Sequence, residues 1–135
     1  MDTVHHIEDD CLVVHAAGPL TLVEARHIAL DAIGEAKSLD VRRVLFDFSD
    51  AEVTPIPTLA ERFEIVREWA DAAPASFTIA IAAREELLDR DRIGQIMASR
   101  LGLQAHVFED PVDALLWVKR NRVPRALLLD NPLYH

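Results

Sequence analysis

Apolar residues follow two rhythms along this chain: short unbroken blocks and repeats at helical spacing. Residues 3–8 and 11–17 read as two strands joined by a turn at Glu8-Asp9-Asp10. The second of them, "CLVVHAA", is apolar and β-branched enough for a sheet. Gly18-Pro19 then punctuates the chain. Thr21 followed by Glu24 is a capping-box pattern, in which each side chain satisfies the other residue's free amide. Leu22, Ala25, Ala29, Ile33 and Ala36 recur at helical spacing and predict one narrow apolar face. "SLDVR" reads as a turn.

"VLFDF", Val44 to Phe48, is a short apolar block flanked by turn residues, as a buried central strand should be. "SDAEVTPIP" reads as a loop. Thr58 and Glu61 form a second capping box, opening a helix whose core stripe is predicted as Leu59, Phe63, Val66, Ala70 and Ala73. "APAS" ends it, and "FTIAIAA" is again a continuous apolar strand. "REELLDRDR" leads into a third helix with the face Ile93, Ile96, Met97 and Leu101, closed by Gly102 as a left-handed cap. "QAHVF" is a last short strand. In "EDPVDALLWVKRN", Asp110 is placed as N-cap and Pro111 at the first helical position.

The order is therefore β-β-α-β-α-β-α-β-α. It predicts an α/β domain: a mainly parallel mixed sheet with an antiparallel N-terminal edge hairpin, covered by four helices through right-handed crossovers. A length of 135 residues suits one domain with its own core. That core is expected over about 3–121. The tail 122–135 carries Leu127 to Leu129 and is expected to pack back on the domain or on a partner subunit. The net charge of −9 repels phosphate backbones and argues against nucleic-acid binding. Arg120, Arg122 and Arg125 read as a helix C-terminus and a solvated tail. The single cysteine, Cys11, excludes an intrachain disulfide and a cysteine-based zinc site, and its apolar surroundings make it a buried, inert thiol. No stretch is long and apolar enough for a membrane span. "MDTVHHIEDD" lacks the features of a signal peptide, so the chain is expected to be cytoplasmic.

The order and three stretches resemble the STAS-like domains: the anti-sigma-factor-antagonist fold and its diverged bacterial relatives, including those grouped with lipid-carrier (CRAL-TRIO-like) domains. The stretches are "GPLTLVEA" after the second strand, "VLFDFSD" as central strand, and "HVFEDPVDALLWV" with Ala114, Leu115 and Trp117 at the end. In anti-sigma-factor antagonists the loop after the central strand ends in Asp-Ser-Ser/Thr-Gly, and a kinase phosphorylates the residue at the start of the next helix. Here the matching stretch is Val53-Thr54-Pro55-Ile56-Pro57-Thr58. It has neither the Asp-Ser pair nor the glycine, and only Thr58 stands in place. The resemblance makes Thr58 a candidate phospho-switch, since a helix N-terminus favours a phosphate. Its capping role is the simpler reading.

Asp47 interrupts an apolar strand, and a carboxylate there needs a partner or a strand end. With Ser49, Asp50, Thr54 and Arg84 it is a candidate lip of a cleft at the strands' C-terminal ends; the competing reading is that Asp47 caps nearby backbone amides. Arg84 could grip an anion bidentately. His5 and His6, adjacent in a strand, point to opposite faces and do not share a metal; His15 and His106 read as satisfied sheet residues. Phe63, Ile65 and Trp69 would mark an interaction face if Trp69 points outward. No cofactor, metal site or catalytic constellation is expected. The preferred function is a non-enzymatic regulatory or protein-interaction module, acting as a homodimer or on another protein. The alternative is a small-molecule or lipid binder with an apolar pocket between helix two, helix three and the sheet.

Overall fold

The computed structural model describes residues 2–73, 77–87 and 93–120. The expectations placed on 74–76, on 88–92 and on the tail 121–135, with Arg122, Arg125 and Leu127 to Leu129, lie outside the described residues. The elements are β1 (Asp2–Glu8), β2 (Cys11–Thr21), α1 (Leu22–Ser38), β3 (Arg43–Thr54), α2 (Leu59–Ala72), β4 (Thr78–Ala83), a 3₁₀ turn at Glu85–Leu87, α3 (Ile93–Arg100), β5 (Gln104–Phe108) and α4 (Pro111–Arg120). They build one five-stranded sheet in the order β1-β2-β3-β4-β5. Only β1 runs antiparallel to its neighbour; β2 to β5 pair in parallel. The α/β mixed sheet with an antiparallel edge hairpin and four helices is thus as expected.

The β1–β2 turn is set by its residues. Glu8 pairs with Cys11, and Asp9 and Asp10 between them have φ of 50° and 62°. Two residues at positive φ make the tight turn whose twist suits a hairpin, and Asp tolerates that region better than most side chains. Strand alternation then separates two cores. Leu12, Val14, Val44, Phe46 and Ile79 face α1, α2 and α3. Cys11, Val13, Leu45, Ala80 and Ala82 face Ala114 and Val118 of α4. Phe46, 1% exposed, contributes about 2–3 kcal/mol by burial alone.

Both capping boxes form: Thr21 Oγ1 accepts from the Glu24 amide and Thr58 Oγ1 from the Glu61 amide, with the reciprocal carboxylate bonds present. Gly102, at φ 83°, ends α3 as expected. Its amide donates to Ser99 O and that of Leu103 to Ala98 O, the paired bonds of a Schellman cap. Asp110 Oδ1 accepts from the Val112 amide at 2.8 Å, so Asp110 caps α4.

Three expectations fail. Residues 49–54, read as loop, continue β3, and 18–21 continue β2, because Ala17 to Thr21 pair in parallel with Asp50 to Thr54. Gly18 permits this with φ of 85°. Of the stripe expected on α2, Val66 and Ala73 pack on the core, but Ile65, Trp69 and Ala72 join them in place of Phe63 and Ala70, and Leu59 in the first turn is 50% exposed. On α3, Ile96 and Leu101 are exposed and Ala98 is buried beside Met97; the side chain of Ile93 lies outside the described residues. A small residue holds the contact there because the helix sits close against β5.

Arg43, buried at the start of β3, ties three elements together. Nη1 donates to Val118 O and Lys119 O at the end of α4, at 3.1 and 2.9 Å, and Nη2 to Asp9 O in the hairpin turn at 2.7 Å. Arg43→Ala leaves those carbonyls without their donor and should cost about 2–3 kcal/mol in urea unfolding; an unchanged midpoint would show the clamp to be idle.

Burial pushes the Cys11 thiol up to about 11, with the Arg43 charge opposing only in part. At pH 8 native protein should therefore react with an aromatic disulfide reagent far more slowly than unfolded chain. Equal rates would place Cys11 in solvent.

Candidate functional site

Midway along β2 and β3, on the face that α4 also packs against, the two polar interruptions of those strands meet. His15 and Asp47 are register partners. His15 Nδ1 lies 2.9 Å from Asp47 Oδ2. Asp47 Oδ1 accepts from the Ser49 amide at 3.1 Å and from Ser49 Oγ at 2.5 Å. Arg84, at the end of β4, donates from Nε to Ser49 O at 3.4 Å. The His15 ring stacks on His6 of β1, with centroids 5.5 Å apart and planes 17° apart. His5 points the other way, to Glu35 of α1 at 2.7 Å.

A bulge places Ser49 within reach. After His15 opposite Asp47, Ala17 lies opposite Asp50, so β3 spends one more residue than β2 over the step. Inward alternation is reset: Phe48 and then Ala51 and Val53 face the same core. The Asp47 carboxylate satisfies the amide exposed by that irregularity. The structure thus brings Asp47, Ser49 and Arg84 together with His15 and leaves Asp50 and Thr54 apart, exposed along the extended β3. The chemistry is limited, because Ser49 Oγ and His15 Nδ1 both spend their contacts on Asp47, so the serine is not activated by the histidine. Among the described residues no group of His, Cys, Asp and Glu could hold a metal ion.

The second feature is a half-open cavity of about 160 Å³ on the opposite face, between the start of α1, α2, the sheet and Leu87. Its walls are apolar apart from Arg26 and Arg62. Glu68 grips Arg26 with two bonds of 3.2 and 2.7 Å, and Arg62 Nη1 donates to Leu87 O at 2.9 Å. Small side chains make the room: Ala25 on α1, Ala83 on β4 and Ala105 on β5. Ile81, in an interior strand, is only part-buried because it looks into this space.

Ile65 and Trp69 line the cavity, so they do not form an outward face with the part-buried Phe63. The Trp69 ring packs on Phe46 with centroids 5.6 Å apart. The pocket expected between helix two, helix three and the sheet is bounded by α1 rather than α3 among the described residues. Thr58 is exposed at the start of α2.

No protein-family model and no curated protein matches the sequence. Among solved structures, an anti-sigma factor antagonist from Mycobacterium paratuberculosis superposes with a TM-score of 0.59 at 18% identity, over 87% of this chain and 93% of that one. The chain has the STAS-like fold. An uncharacterized protein from Shewanella loihica, of the DUF3478 family with a SpoIIAA-like fold, is also similar, with a TM-score of 0.49 at 17% identity over 87% and 92% of the two chains. Among the described residues no helix is long and apolar enough to cross a membrane.

The sequence carried a signal for His15: it and Asp47 are polar intruders in two neighbouring apolar strands, and such intruders pair. It carried none for the bulge that adds Ser49. Asp47→Ala should lower stability by about 1–2 kcal/mol and shift the Ser49 and His15 amide signals together. Unchanged melting would make the carboxylate dispensable to the bulge.

Proposed function

We propose that the chain is a non-enzymatic regulatory or protein-interaction module of STAS-like type, working through the end of the domain where α1 and α2 begin. One observation carries this reading. Val23, Ile56 and Leu59 are 63%, 49% and 50% exposed, and they belong to one end of the fold. Thr21 and Thr54 are register partners, and Leu22 and Pro57 share the cavity wall. Their neighbours Val23 and Ile56 therefore emerge together, with Leu59 one residue beyond the Thr58 cap. Exposed apolar side chains grouped around two helix starts are what a protein partner, or a second copy of the chain, would cover.

The fold likeness supports the reading, since the superposed mycobacterial protein is an anti-sigma factor antagonist. Thr58 sits within this patch. A phosphate on its Oγ would displace the bond from the Glu61 amide and bring a dianion against the Glu61 carboxylate, so we read Thr58 first as a cap. The test is affinity capture from the native cell with wild type and with Val23→Glu and Leu59→Glu, beside light scattering of each. A specific protein complex or a homodimer, lost in both variants, is expected. A clean monomer that captures no protein would overturn the reading.

A second reading, a small-molecule binder, is favoured by the cavity itself. Small ligands usually sit in apolar concavities, and this half-open one of about 160 Å³ reaches in to Ile81.

A further inference from the structure

We propose that residues 125–131 add a sixth strand to the sheet, lying antiparallel along the free edge of β1 of the same chain. The edge itself asks for cover. Among the described residues β1 is an outermost strand of the five. It pairs with β2 over all seven of its residues without a bulge. It holds no proline or lysine, and its Val4 and Ile7 are 60% and 49% exposed. An edge that long and regular recruits another strand unless something covers it. Asp9 and Asp10, both at positive φ, form a two-residue turn closed by Glu8 and Cys11. The closing pair of such a turn exchanges hydrogen bonds, so by alternation the amides of Thr3, His5 and Ile7 point away from β2.

The end of α4 names the occupant. Lys119 pairs with Glu8 and Asp9, and Arg43 holds its carbonyl. The chain therefore leaves α4 beside the last residue of β1. A segment that starts there and runs back along β1 is antiparallel to it and needs no crossover. Residues 121–124 span about 13 Å when extended, more than two strand spacings. Pro124 and Pro132 then bound 125–131, seven residues against the seven of β1, and proline marks strand ends. Charge agrees. Glu8, Asp9 and Asp10 crowd the exit corner, and the segment brings Arg122 and Arg125 to it. A second copy of β1 would instead set one acidic strand against another. With Arg125 opposite Glu8, Leu127 lies opposite His6 and Leu129 opposite Val4. Those β1 residues pair with Cys11, Val13 and His15, so both leucines join the face on which α4 packs.

The test is amide exchange of the ¹⁵N-labelled full chain beside Leu128→Pro, which removes a donor from the middle of the new strand. In wild type the amides of Thr3, His5 and Ile7 should exchange about tenfold more slowly than in the variant. Those of His6 and Glu8, bonded to β2, should keep their rates. Fast exchange of Thr3, His5 and Ile7 in wild type would show an uncovered edge and overturn the proposal. Slow exchange that Leu128→Pro leaves unchanged would give the edge another cover and overturn it equally. A second measurement fixes register and chain. Val4→Cys with Leu129→Cys sets two thiols at a non-hydrogen-bonded cross-strand pair, within disulfide reach, while Cys11 stays buried. Mild oxidation should join the two new cysteines within one monomer, read by mass spectrometry of the linked peptides. A link found only between two chains would give the edge to a second copy's segment and overturn pairing within the chain. No link would overturn this register.

Discussion

One buried guanidinium organises this domain. Arg43 stands where β3 leaves the α1–β3 turn, and its donors reach the closing carbonyls of α4 and the backbone of the β1–β2 turn. Those groups come from the beginning, middle and end of the described chain. The last carbonyls of a helix have no partner within it and carry its negative dipole end, so a cation there is doubly favoured. Around the same corner, Lys119 pairs with Glu8 and Asp9. The helix on this side of the sheet is thereby fixed at its C-terminus, which lets Ala114 and Val118 bury against Cys11, Val13, Leu45, Ala80 and Ala82. Packing then needs only small side chains, because position is set by the clamp.

The two faces of the sheet differ for a related reason. Among the described residues three helices cover one face and α4 packs on β3, β4 and β5 of the other. The face of α4 carries the polar cluster of His6, His15, Asp47 and Ser49 midway along the strands. Among the described residues the three-helix face has no such cluster, but its alanines leave a half-open pocket where α2 bridges from α1 to the strands.

Much of the fold was readable from residues alone. The strand blocks, both capping boxes, the Asp110 cap and the Gly102 terminator each rest on local rules, and local rules do not need tertiary information. The failures share a cause. Residues 49–54 look like loop because Ser49, Asp50, Glu52 and Thr54 are polar, but alternate ones are simply the outer face of a strand whose partner is remote in sequence. Leu59 has the apolar side chain and spacing of an inner residue, yet in the first turn of α2 it stays 50% exposed. Of the candidate site, Asp47, Ser49 and Arg84 were visible as polar residues within or just after apolar strand blocks. The part played by His15 depends on strand order, and the inward turn of Trp69 on helix rotation, neither of which is written in spacing.

Beyond Phe48, where β4 stops following it, β3 continues beside β2 as a two-stranded ribbon. Thr21 and Thr54 close that ribbon side by side, and Thr21 is also the N-cap of α1. From Thr54, only Pro55 to Pro57 lead to Thr58, the N-cap of α2. The two helices therefore hang from one stiff stalk, and each is further strapped to the other by Arg26 and Glu68. A load applied at either helix start would be shared mechanically with its neighbour instead of being absorbed by a slack linker.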